Sequence, residues 1–141
     1  MPELRLTRDG RWFVDGEEIL HERTLRVLTE NVRLTEDGTF VTSIGRETAK
    51  IVADDAAFFV RTATIDGRGL VLALSDRSEE TLATPHLRSG LDGALYCRVK
   101  GDRAWARFSR AAQQALAPSL VEEAGAVGLI VCGVFVPAAL F

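Results

Sequence analysis

Two cysteines, two histidines, four prolines and one methionine are all that the 141 residues contain of those types, and each scarcity excludes something. His21 and His86 stand far apart, and neither has Cys, Asp or Glu at a recognised zinc spacing, so no metal centre is expected. Cys97 and Cys132 both lie in apolar, strand-like runs, which predicts two buried free thiols rather than a disulfide or a redox pair. Gly-x-Ser-x-Gly is missing, as are the Walker and dinucleotide-binding glycine patterns, so the residues name no catalytic group and imply no cofactor. There is no long hydrophobic run either. The most apolar segment, 124–141, is interrupted by Gly125, Gly128, Gly133 and Pro137 and falls short of the roughly 20 residues that span a bilayer. The opening MPELRLTRDG has no apolar leader core, which predicts a cytoplasmic protein without a membrane segment.

Charge of one sign is lacking as well. Seventeen basic and twenty acidic residues leave a net charge of −3, too balanced for the positive field of a general nucleic-acid binder, though local patches stay open. What is present is core material. Hydrophobic residues make up 47% of the chain and charged residues 26%, a balance that excludes a disordered tail, a collagen-like repeat or a coiled coil. A chain of this length removes roughly two thirds of its unfolded surface from water on folding.

Asp-Gly occurs five times, at residues 9–10, 15–16, 37–38, 66–67 and 92–93. Asp bonds its own backbone and Gly accepts positive φ, so each pair is a turn candidate, and those between apolar alternations are hairpin candidates. Trp12 to Val14 pairs with Glu17 to Ile19, and Arg33 to Glu36 pairs with Thr39 to Thr42, with Leu34 opposite Val41. Between them Leu25, Leu28 and Val32 recur at helical spacing and predict a helix over 21–32, with His21 a mediocre cap. Ile51-Val52, Phe58 to Ile65 and Leu70 to Leu74 read as strands, followed by a polar loop over 75–80.

The clearest hairpin joins Leu95 to Lys100 with Arg103 to Phe108 through Gly101-Asp102, a pair suited to a type II′ turn. The alternation pairs Arg98 with Trp105 and Tyr96 with Arg107, and it sends Leu95, Cys97, Val99, Ala104, Ala106 and Phe108 to the core. A second helix starts at a Ser109 cap, Pro118 restarts a short turn, and Val127 to Val136 predicts a last strand bent at Gly133. The fold class is therefore α+β, antiparallel-rich, with two main helices. The halves, an N-terminal α+β module over 1–75 and a C-terminal one over 76–141 or one compact domain containing both, share an outline that suggests a structural repeat.

Trp12; Ile19, Leu25 and Leu28; Asp37-Gly38 with Phe40-Val41-Thr42; and Asp54-Asp55-Ala56-Ala57-Phe58 follow one another in an order that carries a likeness. It continues through Tyr96, Val99 and Lys100 as a Tyr-x-x-Val-Arg element, Ala106 with Arg110, and the Gly-rich strand from Gly128 to Phe135. Together these make the chain resemble the DUF1285 family of mostly bacterial, uncharacterised proteins over about 120 residues. The resemblance implies an α+β fold with repeated structural motifs and a role in signal transduction or ligand sensing, with no established activity. The sequence departs from the family where Thr-Pro-x-Glu becomes Thr42-Ser43-Ile44-Gly45-Arg46-Glu47 and where the proline before Phe58 is Ala57. A ligand loop shaped by either proline in the family would be altered here, with Glu47 standing for the family's glutamate.

Two constellations could carry chemistry. Asp54 and Asp55 are the strongest carboxylate pair, but neighbouring side chains in extended backbone diverge, so a turn or a cation contact fits them better than a shared proton. The outward hairpin face gathers Tyr96, Arg98, Lys100, Arg103, Trp105 and Arg107, with Arg110 beside it: cations that could bind an anion and aromatics that could stack on a flat partner. The bland alternative is that Trp105 covers Arg98 and that acids of the same chain neutralise the rest. The sequence thus points to a non-enzymatic module that senses a small anionic ligand or binds a protein partner. Its alternatives are a small enzyme using dispersed Asp, Glu and Arg residues and a homodimeric structural protein.

Overall fold

The computed structural model describes residues 2–141, and the chain divides into two compact units, the first ending at Phe58 and the second running over Phe59–Phe141. The first unit begins with β1 (Glu3–Leu6), β2 (Trp12–Val14) and β3 (Glu17–Glu18), a meander turning through Asp9-Gly10 and Asp15-Gly16. Helix α1 (Glu22–Glu30) follows, then a second meander of β4 (Arg33–Leu34), β5 (Phe40–Ile44) and β6 (Glu47–Ala53). The order across the sheet is β3-β2-β1-β6-β5-β4: every neighbouring pair is antiparallel except β1 with β6, which run parallel.

His21 caps α1 after all, its Nδ1 accepting from the Thr24 N–H at 3.3 Å. The helix lays Leu28 into the core of this unit with Leu6, Trp12, Val41 and Ile51. One buried polar contact ties helix to sheet: the hydroxyl of Thr42, on β5, donates to the Leu28 carbonyl at 2.6 Å. Thr42→Val keeps the shape and removes the donor, so it is expected to lower the unfolding free energy by about 1 to 2 kcal/mol. Urea denaturation checks this, and an unchanged midpoint would deny the contact any weight.

The second unit takes in β7 (Phe58–Asp66) from its second residue, then β8 (Gly69–Leu74), β9 (Glu79–Leu82), β10 (Leu87–Ser89), β11 (Leu95–Val99) and β12 (Ala104–Phe108). After α2 (Arg110–Leu116) and a 3-10 turn, Ala117–Ser119, come β13 (Leu120–Glu123), β14 (Ala126–Val131) and β15 (Val134–Leu140). Their order is β13-β14-β15-β10-β11-β12-β7-β8-β9, and here β10 and β15 are the parallel neighbours. Ser109 caps α2 as expected, its hydroxyl accepting from the Ala112 N–H at 3.1 Å, and the helix buries Ala112 and Leu116.

The molecule is thus mostly β, two mixed sheets with two short helices. The parallel pairings were not expected, nor were β1, β9, β10 and β13. Four local expectations need correction. Leu34 faces Phe40, and Arg33 faces Val41, because the loop is the three-residue Glu36-Asp37-Gly38 with Gly38 at φ +87, which shifts the register by one. The Gly101-Asp102 turn is not type II′: Lys100, Gly101 and Asp102 all have positive φ, and the Arg103 N–H closes a longer loop onto the Val99 carbonyl at 3.2 Å. The last strand is two strands, because Cys132 and Gly133, at φ +50 and +77, form a tight hairpin turn between Val131 and Val134. That turn also overturns the reading of Cys132 as buried: it is exposed at the tip, whereas Cys97 is buried and burial pushes its thiol up to about 12.

Candidate functional site

The hairpin β11/β12 keeps the register read from its alternation, Tyr96 opposite Arg107 and Arg98 opposite Trp105, with Leu95, Cys97, Val99, Ala104, Ala106 and Phe108 buried on the other face. β10 extends this sheet by placing Arg88 opposite Tyr96, and β15 adds Ala139 opposite Arg88. His86, Arg88 and Phe141 therefore join the outward face, and the sequence reading had missed all three. The signal was slight: an His-Leu-Arg alternation that begins one residue before a three-residue strand, and an aromatic residue far along the chain.

The aromatic groups form a chain of edge-to-face contacts. Trp105 meets His86 at 5.3 Å and Phe141 at 5.0 Å between ring centroids, and Phe141 meets Tyr96 at 5.1 Å. The Phe141 N–H is fixed to the Ser89 carbonyl at 3.1 Å. This arrangement corrects one expectation, since Tyr96 is buried rather than presented outward: Phe141 lies against its ring and the Arg107 guanidinium sits 5.5 Å from its centroid.

The cations divide into two kinds. Arg107 donates to the Tyr96 hydroxyl at 2.5 Å and to Asp92 Oδ2 at 2.9 Å; burial opposes its charge, but these two partners outweigh it and raise its pKa. Lys100 reaches sideways to the β8/β9 turn, its Nζ 2.6 Å from Asp76 Oδ2 and 2.9 Å from the Ser78 hydroxyl, while its backbone N–H donates to Glu80 Oε2 at 2.9 Å. Arg98 differs: its guanidinium lies 4.5 Å over the Trp105 ring, and it has no carboxylate partner among the described residues. Arg103 is exposed in the loop, and Arg110 is the exposed first residue of α2. The face thus offers one stacked arginine without an acid of its own, with Arg88 and His86 on the neighbouring strand and its approach.

Asp76 is the buried partner of the set, with 11% of its side chain exposed. Burial pushes its carboxyl up, but hydrogen bonds from Lys100 and Ser78 and the lysine charge more than reverse this and hold it below the ordinary 3.8. A carboxyl lowered in the folded state stabilises the protein fully above its unfolded value, and that contribution is lost as the pH falls through the folded one. The unfolding free energy is therefore expected to decline below about pH 4, and Asp76→Asn is expected to flatten part of that decline. Denaturant titrations between neutral and acid pH check the slope; identical acid limbs for parent and variant would contradict it.

The carboxylates named from sequence lie in the first unit. Asp54 sits in the bend after β6 and is held by Arg5 of β1, Nη2 to Oδ2 at 2.8 Å and Nε to Oδ1 at 3.0 Å. Arg5 keeps the Asp54 carboxyl below its ordinary range, so this group is charged and not poised to hold a proton. Asp55 is its exposed neighbour, and Glu47 is the exposed first residue of β6, facing Ile44 across the Gly45-Arg46 turn. The segment that departs from the family pattern is therefore a hairpin turn. Among the described residues no group of three His, Cys, Asp or Glu side chains is placed to hold a metal ion, and no helix is long and apolar enough to cross a membrane.

No protein-family model matches the sequence, and no curated protein is similar to it. Solved structures do match. A DUF1285 family protein from Silicibacter pomeroyi is 21% identical and superposes with a TM-score of 0.70, covering 97% of this chain and 79% of its own. A second, from Shewanella baltica, is 13% identical with a TM-score of 0.55, covering 84% of this chain and 92% of its own. The likeness carried by Trp12, Asp37-Gly38 and the Gly128–Phe135 strand is thus matched by a likeness of the whole backbone: this chain has the fold of the DUF1285 family proteins.

Proposed function

We propose that the chain is a non-enzymatic binding module, with a role in ligand sensing or signal transduction, and that its recognition surface is the outward face of β10, β11 and β12. The observation that carries this reading is Arg98, stacked on Trp105 without an acid of its own and flanked by Arg88 and His86. Such a pair suits an anionic group attached to a flat apolar body: the guanidinium takes the anion through charge-assisted hydrogen bonds, and the indole receives the body. The ligand class is a small aromatic anion. Asp92 and Asp76, by occupying Arg107 and Lys100, leave the attraction local to Arg98 rather than spread along the hairpin.

Two further features support the reading. Asp54, the best carboxylate candidate for catalysis, is occupied by Arg5 as a surface ion pair. β1 to β6 with α1 and β10 to β15 with α2 each make a three-strand meander, a helix and a second meander, closed by the parallel pairs β1 with β6 and β10 with β15, and the second unit adds the meander β7 to β9. This supports reading the chain as two copies of one motif, of which the second carries the aromatic and basic face. The test is a crystal structure of protein purified gently enough to retain copurified small molecules. Density for an anion within hydrogen-bond reach of the Arg98 guanidinium is expected; a bound molecule elsewhere, with this face holding solvent alone, would count against the proposal.

A further inference from the structure

Sheet edges invite pairing with other chains, and this protein blunts some of them. The first unit's sheet ends in β3 and β4, edge strands of only two residues each, and the Arg33 guanidinium reaches inward from β4 over β5 and β6 to the hydroxyls of Ser43 at 2.8 Å and Thr48 at 3.5 Å. At β9 the Glu80 carboxylate is held by the Lys100 N–H. β13 has no such cover. Its four residues, Leu120-Val121-Glu122-Glu123, are all exposed. The two-residue turn at Ala124-Gly125 makes Glu123 and Ala126 a hydrogen-bonded pair, so Val121 and Glu123 bond to β14 while the N–H and C=O of Glu122 and the C=O of Leu120 point away from the sheet.

Beside this edge lies an apolar pocket of about 170 Å³ between α2 and the sheet, lined by Leu95, Gln113, Leu116, Leu120, Val127 and Ala138 among others. It lies on the Leu95 face, opposite the Arg98 face. Leu120 and Glu122 share the pocket side of β13, and Val121 and Glu123 share the other side. A strand added to β13 would therefore set two neighbouring residues against apolar side chains and the next two against carboxylates. Neither Glu122 nor Glu123 has an ion-pair partner among the described residues.

We propose that β13 accepts, as an added strand, an extended segment of another protein in which two adjacent apolar residues adjoin two adjacent basic ones. One apolar side chain enters the pocket beside Leu120, the basic residues pair with Glu122 and Glu123, and the outward backbone groups of Glu122 supply the ladder hydrogen bonds. Charge argues against a second copy of this chain as occupant. Antiparallel self-pairing of Leu-Val-Glu-Glu sets each apolar residue against a glutamate or brings glutamates together across the ladder.

The test uses the whole chain, labelled for amide NMR, with two synthetic peptides as probes. Acetyl-Ser-Lys-Lys-Val-Leu-Ser-amide suits antiparallel addition and acetyl-Ser-Leu-Val-Lys-Lys-Ser-amide suits parallel addition. One of them is expected to bind and to slow exchange of the Glu122 amide, while analogues with Glu in place of Lys bind more than about tenfold more weakly. Glu122→Pro removes the outward N–H without touching the pairing to β14 and is expected to abolish binding. Should that variant not fold, Val127→Trp, placed at the exposed rim of the pocket, serves the same purpose. Glu122→Lys with Glu123→Lys is expected to reverse the preference toward the acidic analogues. Failure of both basic peptides to bind, equal binding of the acidic ones, unchanged binding by Glu122→Pro or Val127→Trp, or a concentration-dependent dimer that pairs through β13 would each overturn the proposal.

Discussion

Replacing Phe108 by alanine is expected to lower the unfolding free energy by about 3 to 5 kcal/mol, among the largest effects of a single truncation in this protein. Phe108 is the last residue of β12, 3% exposed, and it points to the side of the sheet that buries Cys97, Val99 and Ala106. The backbone gives little room for collapse. The Ser109 N–H is held by the Val60 carbonyl at 2.9 Å, and the Ser109 hydroxyl caps α2, so the junction between strand and helix is fixed on both sides. The lost transfer energy and the retained cavity therefore add. Urea denaturation of parent and variant measures the difference at a common slope; a loss below about 1 kcal/mol would place the ring outside the packed core.

Gly128→Ala is expected to be as damaging for a different reason. Gly128 faces Pro137 across the β14/β15 ladder, and a Cβ built on it would lie 2.0 Å from the Val136 carbonyl oxygen and 2.8 Å from the Pro137 Cα. Those obstacles are backbone, so no side-chain rotation relieves them. Added methyl groups in packed interiors typically cost about 1 to 3 kcal/mol, and a clash with backbone belongs at or beyond the upper end of that range. The β13–β15 meander should lose its pairing first. Amide exchange should therefore accelerate at Val136 and Leu129 before it does in β7 and β8. Uniform protection and unchanged stability would show that the two strands stand further apart than this register requires.

Much of this was legible in the sequence wherever the physics is local. The hairpin of Leu95 to Phe108 could be read because alternation on both sides of a Gly-Asp pair fixes which residues face each other, and the register and buried face follow. The Asp37-Gly38 turn was placed correctly yet shifted by one, because Asp-Gly serves both two-residue loops and three-residue loops ending in left-handed glycine, and the residues alone do not choose. Cys132-Gly133 was missed because cysteine rarely takes positive φ and the flanking valines read as one continuous strand.

What is distant in sequence was not legible. The parallel neighbours β1 with β6 and β10 with β15 join segments separated by a helix and most of two meanders, and no pattern within either strand announces its partner. The candidate site shows the same limit. Arg98 over Trp105 follows from cross-strand pairing, whereas the burial of Tyr96 by Phe141, and the arrival of His86 and Arg88 on the same face, follow from the β10/β15 pairing. The ion pairs that occupy Lys100 and Arg107 depend on turns at Asp76 and Asp92 that the alternation does not position.

Recognition of an aromatic anion by the Arg98–Trp105 pair is tested by titrating phenyl phosphate and inorganic phosphate into the protein at low and moderate salt. Binding is read from the fluorescence of Trp105, since Trp12, the other tryptophan, is buried in the first unit. Phenyl phosphate is expected to bind more tightly than phosphate, and Arg98→Ala is expected to weaken both and to reduce the salt dependence. Trp105→Phe, followed by calorimetry, should weaken phenyl phosphate more than phosphate. Equal affinities and equal salt dependence in the parent and in folded Arg98→Ala protein would contradict that recognition.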